Sequence, residues 1–239
     1  MKPKILMQNG GTMKTLQINE IFSSINGEIS PSHQGSMCTF IRLQGCPLRC
    51  LYCDTKKAQN PSAGTPISIY KIMKEVEKQK NVNVTITGGE PLLQKKILEK
   101  LVLKLIEKHR VSIETNGSFP IPKDWPWCDI NVSWVVDYKL PYSGESAKMK
   151  EDHFYGLNKT DMIKFVVSCY GDFVFAVRMT EKIHKDYSER TRICPVFAFS
   201  PCLGKIDPMK LYEYMNKSDF LKNIGAVYSL QLHKIIGVS

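Results

Sequence analysis

The chain has 239 residues, 43% of them hydrophobic and 23% charged, with a formal net charge of +10. That is the composition of an ordinary globular protein, long enough for one large α/β domain or two small ones. No apolar run approaches the roughly 20 residues of a membrane span or forms a signal-peptide core, so no membrane contact and a cytoplasmic protein are expected. The basic excess favours acidic partners, but Lys and Arg are scattered over amphipathic stretches without a nucleic-acid-binding motif, and direct nucleic-acid binding is not expected.

Structured sequence is expected to begin near Leu16, with residues 1–15 as a disordered extension and 16–239 as a single domain; Met13 offers an alternative start. Apolar runs of strand length follow at residues 38–43, 83–87, 111–115, 132–137, 162–168, 192–199 and 227–233. They are nearly continuous, as in strands buried on both faces. Helical patterns lie between them. Ser68 is a candidate N-cap for a helix over 69–80, with Ile69, Ile72, Met73 and Val76 on one face. A second helix is predicted over 92–109, a third over 173–185, and a fourth over 208–222, capped by Asp207 with Pro208 in its first turn. The Pro- and aromatic-rich stretch 117–127 reads as an ordered loop. Strand–helix alternation implies right-handed βαβ units and a parallel sheet, open or curled into a barrel.

Eight cysteines are present. Cys38, Cys128, Cys169, Cys194 and Cys202 are dispersed and read as small buried hydrophobes. Cys46, Cys50 and Cys53 cluster as C-x3-C-x2-C directly after the first apolar run. Three thiolates so close suit an iron–sulfur cluster, and four irons with three ligands leave one iron open for exogenous chemistry. The rival is a structural zinc site closed by His33 or Cys38, but zinc ribbons use two separated C-x2-C pairs and no second pair exists. Polar groups follow the later runs: TGGEP at 87–91, ETNG at 114–117, DYK at 137–139 and Ser200-Pro201. Each alone reads as a turn or a cap. Their shared placement after strands gathers them at one mouth of a parallel barrel, where barrel enzymes place their sites.

The cysteine spacing, with Tyr52 just before the last cysteine, and the GGE stretch after the next strand resemble the radical S-adenosylmethionine (SAM) superfamily. Residues 18–55, INEIFSSINGEISPSHQGSMCTFIRLQGCPLRCLYCDT, together with the closing LQLHKIIGVS, resemble the 7-carboxy-7-deazaguanine synthase family over nearly the whole chain. The resemblance implies a compact, partial (β/α)6-type radical SAM barrel with a 4Fe–4S cluster, SAM and Mg2+. It implies a carbon–nitrogen lyase in the deazapurine (queuosine, archaeosine) pathway. A SAM-derived radical takes hydrogen from C6 of 6-carboxy-5,6,7,8-tetrahydropterin, the ring contracts, ammonia leaves, and the hydrogen returns to the cofactor. It also implies a homodimer, and the basic surface suits an acidic electron donor such as flavodoxin.

Carried over position by position, the resemblance makes Cys46, Cys50 and Cys53 the cluster ligands and Thr55 the Mg2+ ligand, against a local reading of Thr55 as a helix N-cap. It places Asn26, Glu28, Arg42, Thr87, His233 and the Ser239 carboxylate on the substrate. Tyr52, Gly88, Gly89, Glu90, Asn116, Lys139 and Ser200 fall on the cofactor. Arg42 is a charge in an apolar strand, and its structural alternative to a substrate carboxylate is a pair with Glu28 or Asp54. The chain departs from the family at Asn26-Gly27-Glu28-Ile29, often Gln-Gly-Glu-Gly, at Asp137-Tyr138-Lys139, often Ser-Pro-Lys, and at Ser200-Pro201, a Gln-Pro in some members. Two rivals remain open: a glycyl-radical-enzyme activase with the same cluster, and a zinc-stabilised RNA-binding module.

Overall fold

In a computed structural model of the chain, residues 15–27, 34–122, 125, 132–190 and 193–238 are described. They form the strands β1 (Thr15–Ile25), β2 (Met37–Leu43), β3 (Thr65–Ser68), β4 (Asn83–Gly88), β5 (Arg110–Thr115), β6 (Val132–Tyr138), β7 (Met162–Val167), β8 (Val196–Pro201) and β9 (Val227–Tyr228). The helices are α1 (Ile69–Gln79), α2 (Lys95–Leu105), α3 (Tyr170–Arg190), α4 (Pro208–Asn216), α5 (Asp219–Asn223) and α6 (Leu232–Ile236). One sheet runs in the order β3-β1-β2-β4-β5-β6-β7-β8-β9. From β2 to β9 every pairing is parallel; β1 is antiparallel to both β2 and β3. The sheet does not close, so the fold is α/β with a partial barrel. No helix among the described residues is long and apolar enough to cross a membrane.

The two faces of this sheet differ. Alternate residues point to opposite faces, and the register puts Ile41, Ile86, Ile113, Trp134, Ile163 and Phe197 on one of them. All are buried in the main core, with Leu98, Leu101, Val102 and Ile183 of the covering helices. On the other face the same register aligns Glu20, Arg42, Thr87 and Glu114, and a second row aligns Asp137 with Lys164 and Ala198. Val135, Met162 and Ala198, with Val196 beside them, make a small apolar floor there, and Phe22 and Phe40 stack farther along the same face. The strands are therefore not wholly apolar on both faces as their composition suggests; the concave face mixes charged and apolar side chains and is the site wall.

Several boundaries differ from the sequence reading. β1 begins at Thr15, inside the stretch assigned to an extension. A bulge between Ile18 and Glu20 breaks its alternation, turning Ile18 to the core and Glu20 to the concave face. The predicted helix over 92–109 opens as a 3-10 turn, Pro91–Gln94, before α2. That over 208–222 divides into α4 and α5, because Ser218 accepts a hydrogen bond from the Leu221 amide and caps a new helix. Ser68 and Asp207 cap α1 and α4 as expected. The 192–199 strand slides to Val196–Pro201, so Ser200 lies within it. The last strand is two residues long, and His233 belongs to α6. Among the described residues no α-helix separates β5, β6 and β7; 3-10 turns between 141 and 154 link the last two.

Candidate active site

β2 delivers the chain to the cysteine loop at the C-terminal end of the parallel strands. Backbone bonds fix that loop: the amides of Gly45 and Cys46 donate to Ala58 and Gln59 carbonyls (2.8 and 3.0 Å), and the Glu90 amide donates to the Gly45 carbonyl at 2.8 Å. Leu48 is its buried anchor. Gly88 and Gly89 are required by this contact. A Cβ on Gly88 would stand 2.2 Å from the Leu43 carbonyl oxygen, and one on Gly89 2.1 Å from that of Gly45. The two glycines thus serve strand–loop packing as well as any ligand approach.

A cavity of about 720 Å³ opens on this face, within the range of small-molecule sites. Its wall includes Cys46, Cys50, Cys53, Tyr52, Thr55 and Arg42, and further on Thr87, Gly88, Gly89, Asn116, Lys139 and His233. Twelve of the residues singled out from sequence therefore share one cavity. Glu28 and Ser239 lie outside the described residues.

Three others do not reach the wall. Glu90 is fully buried. Its carboxylate accepts from the amides of Leu92 (2.9 Å) and Asn116 (2.8 Å) and from the Thr115 hydroxyl (2.8 Å). Burial pushes its pKa up, and those donors pull it back only in part. Its place is beneath the mouth, holding the Asn116 turn. Asn26 is buried where its backbone pairs with Gly35 and Ser36. Ser200 is buried on the concave face of β8. Neighbouring Cys202 lines the cavity instead.

The thiols fit a cluster. The Asn116 side-chain amide donates to Cys46 Sγ at 3.4 Å. Burial pushes the Cys46 thiol up and the Cys50 thiol up to about 11, although Lys139 works against the second shift. Without a metal these groups remain thiols at neutral pH, so iron binding must release their protons. Among the described residues no three His, Cys, Asp or Glu side chains converge on a single-ion site. Lys139 is buried and donates to Asp137 at 2.6 Å; burial disfavours its charge, but Asp137 and the nearby cysteines raise its pKa on balance.

Also on the cavity wall, Arg42 Nε donates to Glu20 at 2.7 Å and Nη1 approaches the Thr55 hydroxyl at 3.5 Å. Among the described residues Arg42's carboxylate partner is thus Glu20, not Asp54. Sequence reasoning missed Glu20 because the bulge hides its orientation. Thr55 stands at the head of the Lys56–Ala58 turn but makes no capping bond; its hydroxyl donates to Asp54 at 2.9 Å. A neutral oxygen facing the cavity beside a carboxylate suits Mg2+, which keeps waters and substrate oxygens in its shell. Thr87 donates to Glu114 at 2.8 Å. α6 closes the rim: the Leu232 amide donates to the Gly27 carbonyl, and Lys234 pairs with Asp54 at 2.6 Å. Burial alone would raise Asp54, but Lys234, Thr55 and Lys164 together bring it down to about 2. The His233 ring lies where a Cβ on Gly27 would stand, 1.9 Å from its Nδ1, so any side chain at 27 would have to displace that ring.

A partial parallel barrel with a three-cysteine loop at its mouth and a Gly-Gly turn packed behind it is the frame of a radical SAM enzyme. The family model described as the Radical SAM superfamily matches residues 40–125. A 7-carboxy-7-deazaguanine synthase from Clostridium acetobutylicum is 39% identical over 222 residues, covering 92% of this chain and 95% of the relative. One from Methanospirillum hungatei is 36% identical over 227 residues, covering 93% and 86%. The crystal structure of QueE from Escherichia coli shares the fold, with a TM-score of 0.62 over 92% of this chain and 96% of that one at 22% identity. The chain belongs to the 7-carboxy-7-deazaguanine synthase family.

Proposed function

We propose that the chain is a radical SAM lyase that converts 6-carboxy-5,6,7,8-tetrahydropterin to 7-carboxy-7-deazaguanine and ammonia in deazapurine biosynthesis. The observation that carries this reading is one cavity that gathers the three clustered cysteines with Arg42, Thr55 and Thr87 in a chain 39% identical to a 7-carboxy-7-deazaguanine synthase. Bound 4Fe–4S cluster and SAM supply the radical; the protein positions and shields it. Cys46, Cys50 and Cys53 would hold three irons, with the Asn116 amide on the Cys46 sulfur. Gly88, Gly89, Tyr52 and Lys139 form the cofactor end. Arg42, Thr87 and His233 form the substrate end, where Thr55 holds Mg2+ beside the substrate carboxylate. Asn26 and Glu90 support this wall from behind.

Residues 16–239 are read as one domain, with Thr15 opening its first strand. The +10 charge supports an acidic electron donor such as flavodoxin, and a cytoplasmic homodimer is the assembly proposed. The test is anaerobic reconstitution followed by turnover with SAM, Mg2+ and the pterin. About four irons per chain and a deazapurine product are expected. A colourless zinc protein, or SAM spent once per activated partner protein with no pterin product, would favour the two rivals.

A further inference from the structure

Glu20 reaches the cavity wall because β1 is irregular. Ile18 pairs with Leu43 and turns to the core, and regular alternation would send Glu20 after it. The bulge between them adds one residue and swings Glu20 to the concave face, opposite Arg42; bulges beside sites re-aim single side chains in this way. The carboxylate then takes two cations, Arg42 Nε at 2.7 Å and Lys57 Nζ at 2.9 Å. Arg42 also lies over the Phe22 ring, 5.4 Å from its centroid, and Phe22 stacks on Phe40 at 5.2 Å. The guanidinium is thus held by one edge and one face.

That hold is selective. An arginine can receive a carboxylate side-on, through Nε and one Nη, or end-on, through both Nη groups. Glu20 occupies Nε and so closes the side-on fork. Among the described residues, Nη1 only approaches the Thr55 hydroxyl at 3.5 Å and Nη2 has no acceptor, so the end-on edge stays open on the cavity wall. Lys57 offsets the charge of Glu20: the carboxylate and its two cations together keep one net positive charge. An acid can therefore orient Arg42 here without making the wall repel an anion.

We propose that Glu20 is a positioning residue, which locks Arg42 so that only its end-on edge is offered to the carboxylate of the acidic substrate. The inference rests on the pterin reading above and adds to it a residue that acts through Arg42 alone. Reconstituted wild-type, Glu20→Ala, Arg42→Met and doubly substituted enzymes are titrated calorimetrically with 6-carboxytetrahydropterin, with tetrahydropterin lacking the carboxylate, and with SAM. A Glu20 that mattered only as a negative charge would, on removal, let an anion bind more tightly. Positioning predicts the opposite sign. Glu20→Ala should weaken the carboxylated pterin about tenfold, because Arg42 regains rotamer freedom that binding must then remove. It should leave the carboxylate-free pterin and SAM at wild-type affinity. In the Arg42→Met background Glu20→Ala should weaken nothing further. In turnover the loss should fall on KM rather than kcat. Glu20→Gln, which keeps a neutral acceptor for Nε, should show a smaller loss of the same sign, and it carries the test should Glu20→Ala fail to hold iron. Equal or tighter binding of the carboxylated pterin by these variants overturns the proposal, as does a loss that persists without Arg42 or that falls on SAM or on both pterins alike. A wild-type enzyme that binds neither pterin, or an Arg42→Met enzyme that binds the carboxylated one normally, would instead refute the functional reading beneath it.

Discussion

Glu90 offers the sharpest separation between a residue that touches the cofactor and one that builds the site. Its carboxylate lies fully buried among three donors, the amides of Leu92 and Asn116 and the hydroxyl of Thr115. In Glu90→Gln one oxygen becomes an NH2 group. Whichever way the amide turns, it confronts a backbone N–H, of Leu92 or of Asn116, with another donor. The Thr115 hydroxyl can rotate to accept, so the net loss is one hydrogen bond to a charged acceptor and one buried N–H left unmade, at about 1–3 kcal/mol each. Relief of the buried charge offsets part of this, leaving about 2–4 kcal/mol. For a protein of this size that lowers Tm by roughly 4–16 °C, measurable by calorimetry on reconstituted enzyme. The effect on SAM should pass only through the Asn116 turn, and the dissociation constant should rise by less than about tenfold. A Tm within about 2 °C of wild type combined with a SAM affinity lost by more than that factor would refute the reasoning, because the carboxylate would then be a cofactor contact.

Thr55→Ala removes the hydroxyl next to Asp54 and Arg42 without touching a cysteine; iron content and SAM affinity should hold while turnover falls and loses its Mg2+ dependence, and a wild-type rate with wild-type dependence would place the metal elsewhere. Tyr187 donates to the Phe154 carbonyl and accepts from the Leu157 amide, and burial, aided by Asp161, pushes its pKa from 10.0 up to about 12. Since the fold favours the neutral phenol, this stabilisation is complete below pH 10 and is lost as pH rises through about 12. Tyr187→Phe should flatten that alkaline loss and cost about 1–3 kcal/mol at neutral pH, read from chemical denaturation; an unchanged alkaline profile would contradict it. A tag after Ser239 should raise KM for the pterin while the same tag at Met1 does nothing, and equal kinetics would show that the terminal carboxylate takes no part. Coupling to flavodoxin should weaken steeply with salt, because exposed charges are screened beyond about 8 Å at physiological ionic strength; a rate indifferent to ionic strength counts against charge-led docking.

The cysteine spacing and the polar ends of strands made the site legible, because ligand chemistry is written in contiguous residues. Seven parallel strands were visible as apolar runs. What stayed hidden depends on contacts far apart in sequence. β1 carries a bulge, so its alternation breaks between Ile18 and Glu20, and the acid that pairs with Arg42 was missed. The polar concave face was masked because its residues are few per strand and lie between large apolar neighbours, as Lys164 does between Ile163 and Phe165. Glu90 looked like a ligand because it follows two glycines, yet its donors come from residues 92, 115 and 116. His233 was read as the end of a strand because Val227–His233 is mostly apolar, but pairing with β8 stops at Tyr228 and the chain turns into α6.

The central claim, that this cavity brings the pterin's C6 hydrogen to a SAM-derived radical and gives it back, is tested most directly with substrate deuterated at C6. Recovered SAM should carry deuterium, the deazapurine should carry none on carbon because the former C6 ends in the aromatic ring bearing only its carboxylate, and Cys50→Ala enzyme should give no labelled SAM. Product formed with SAM left unlabelled, or label exchanged equally by Cys50→Ala, would contradict the account.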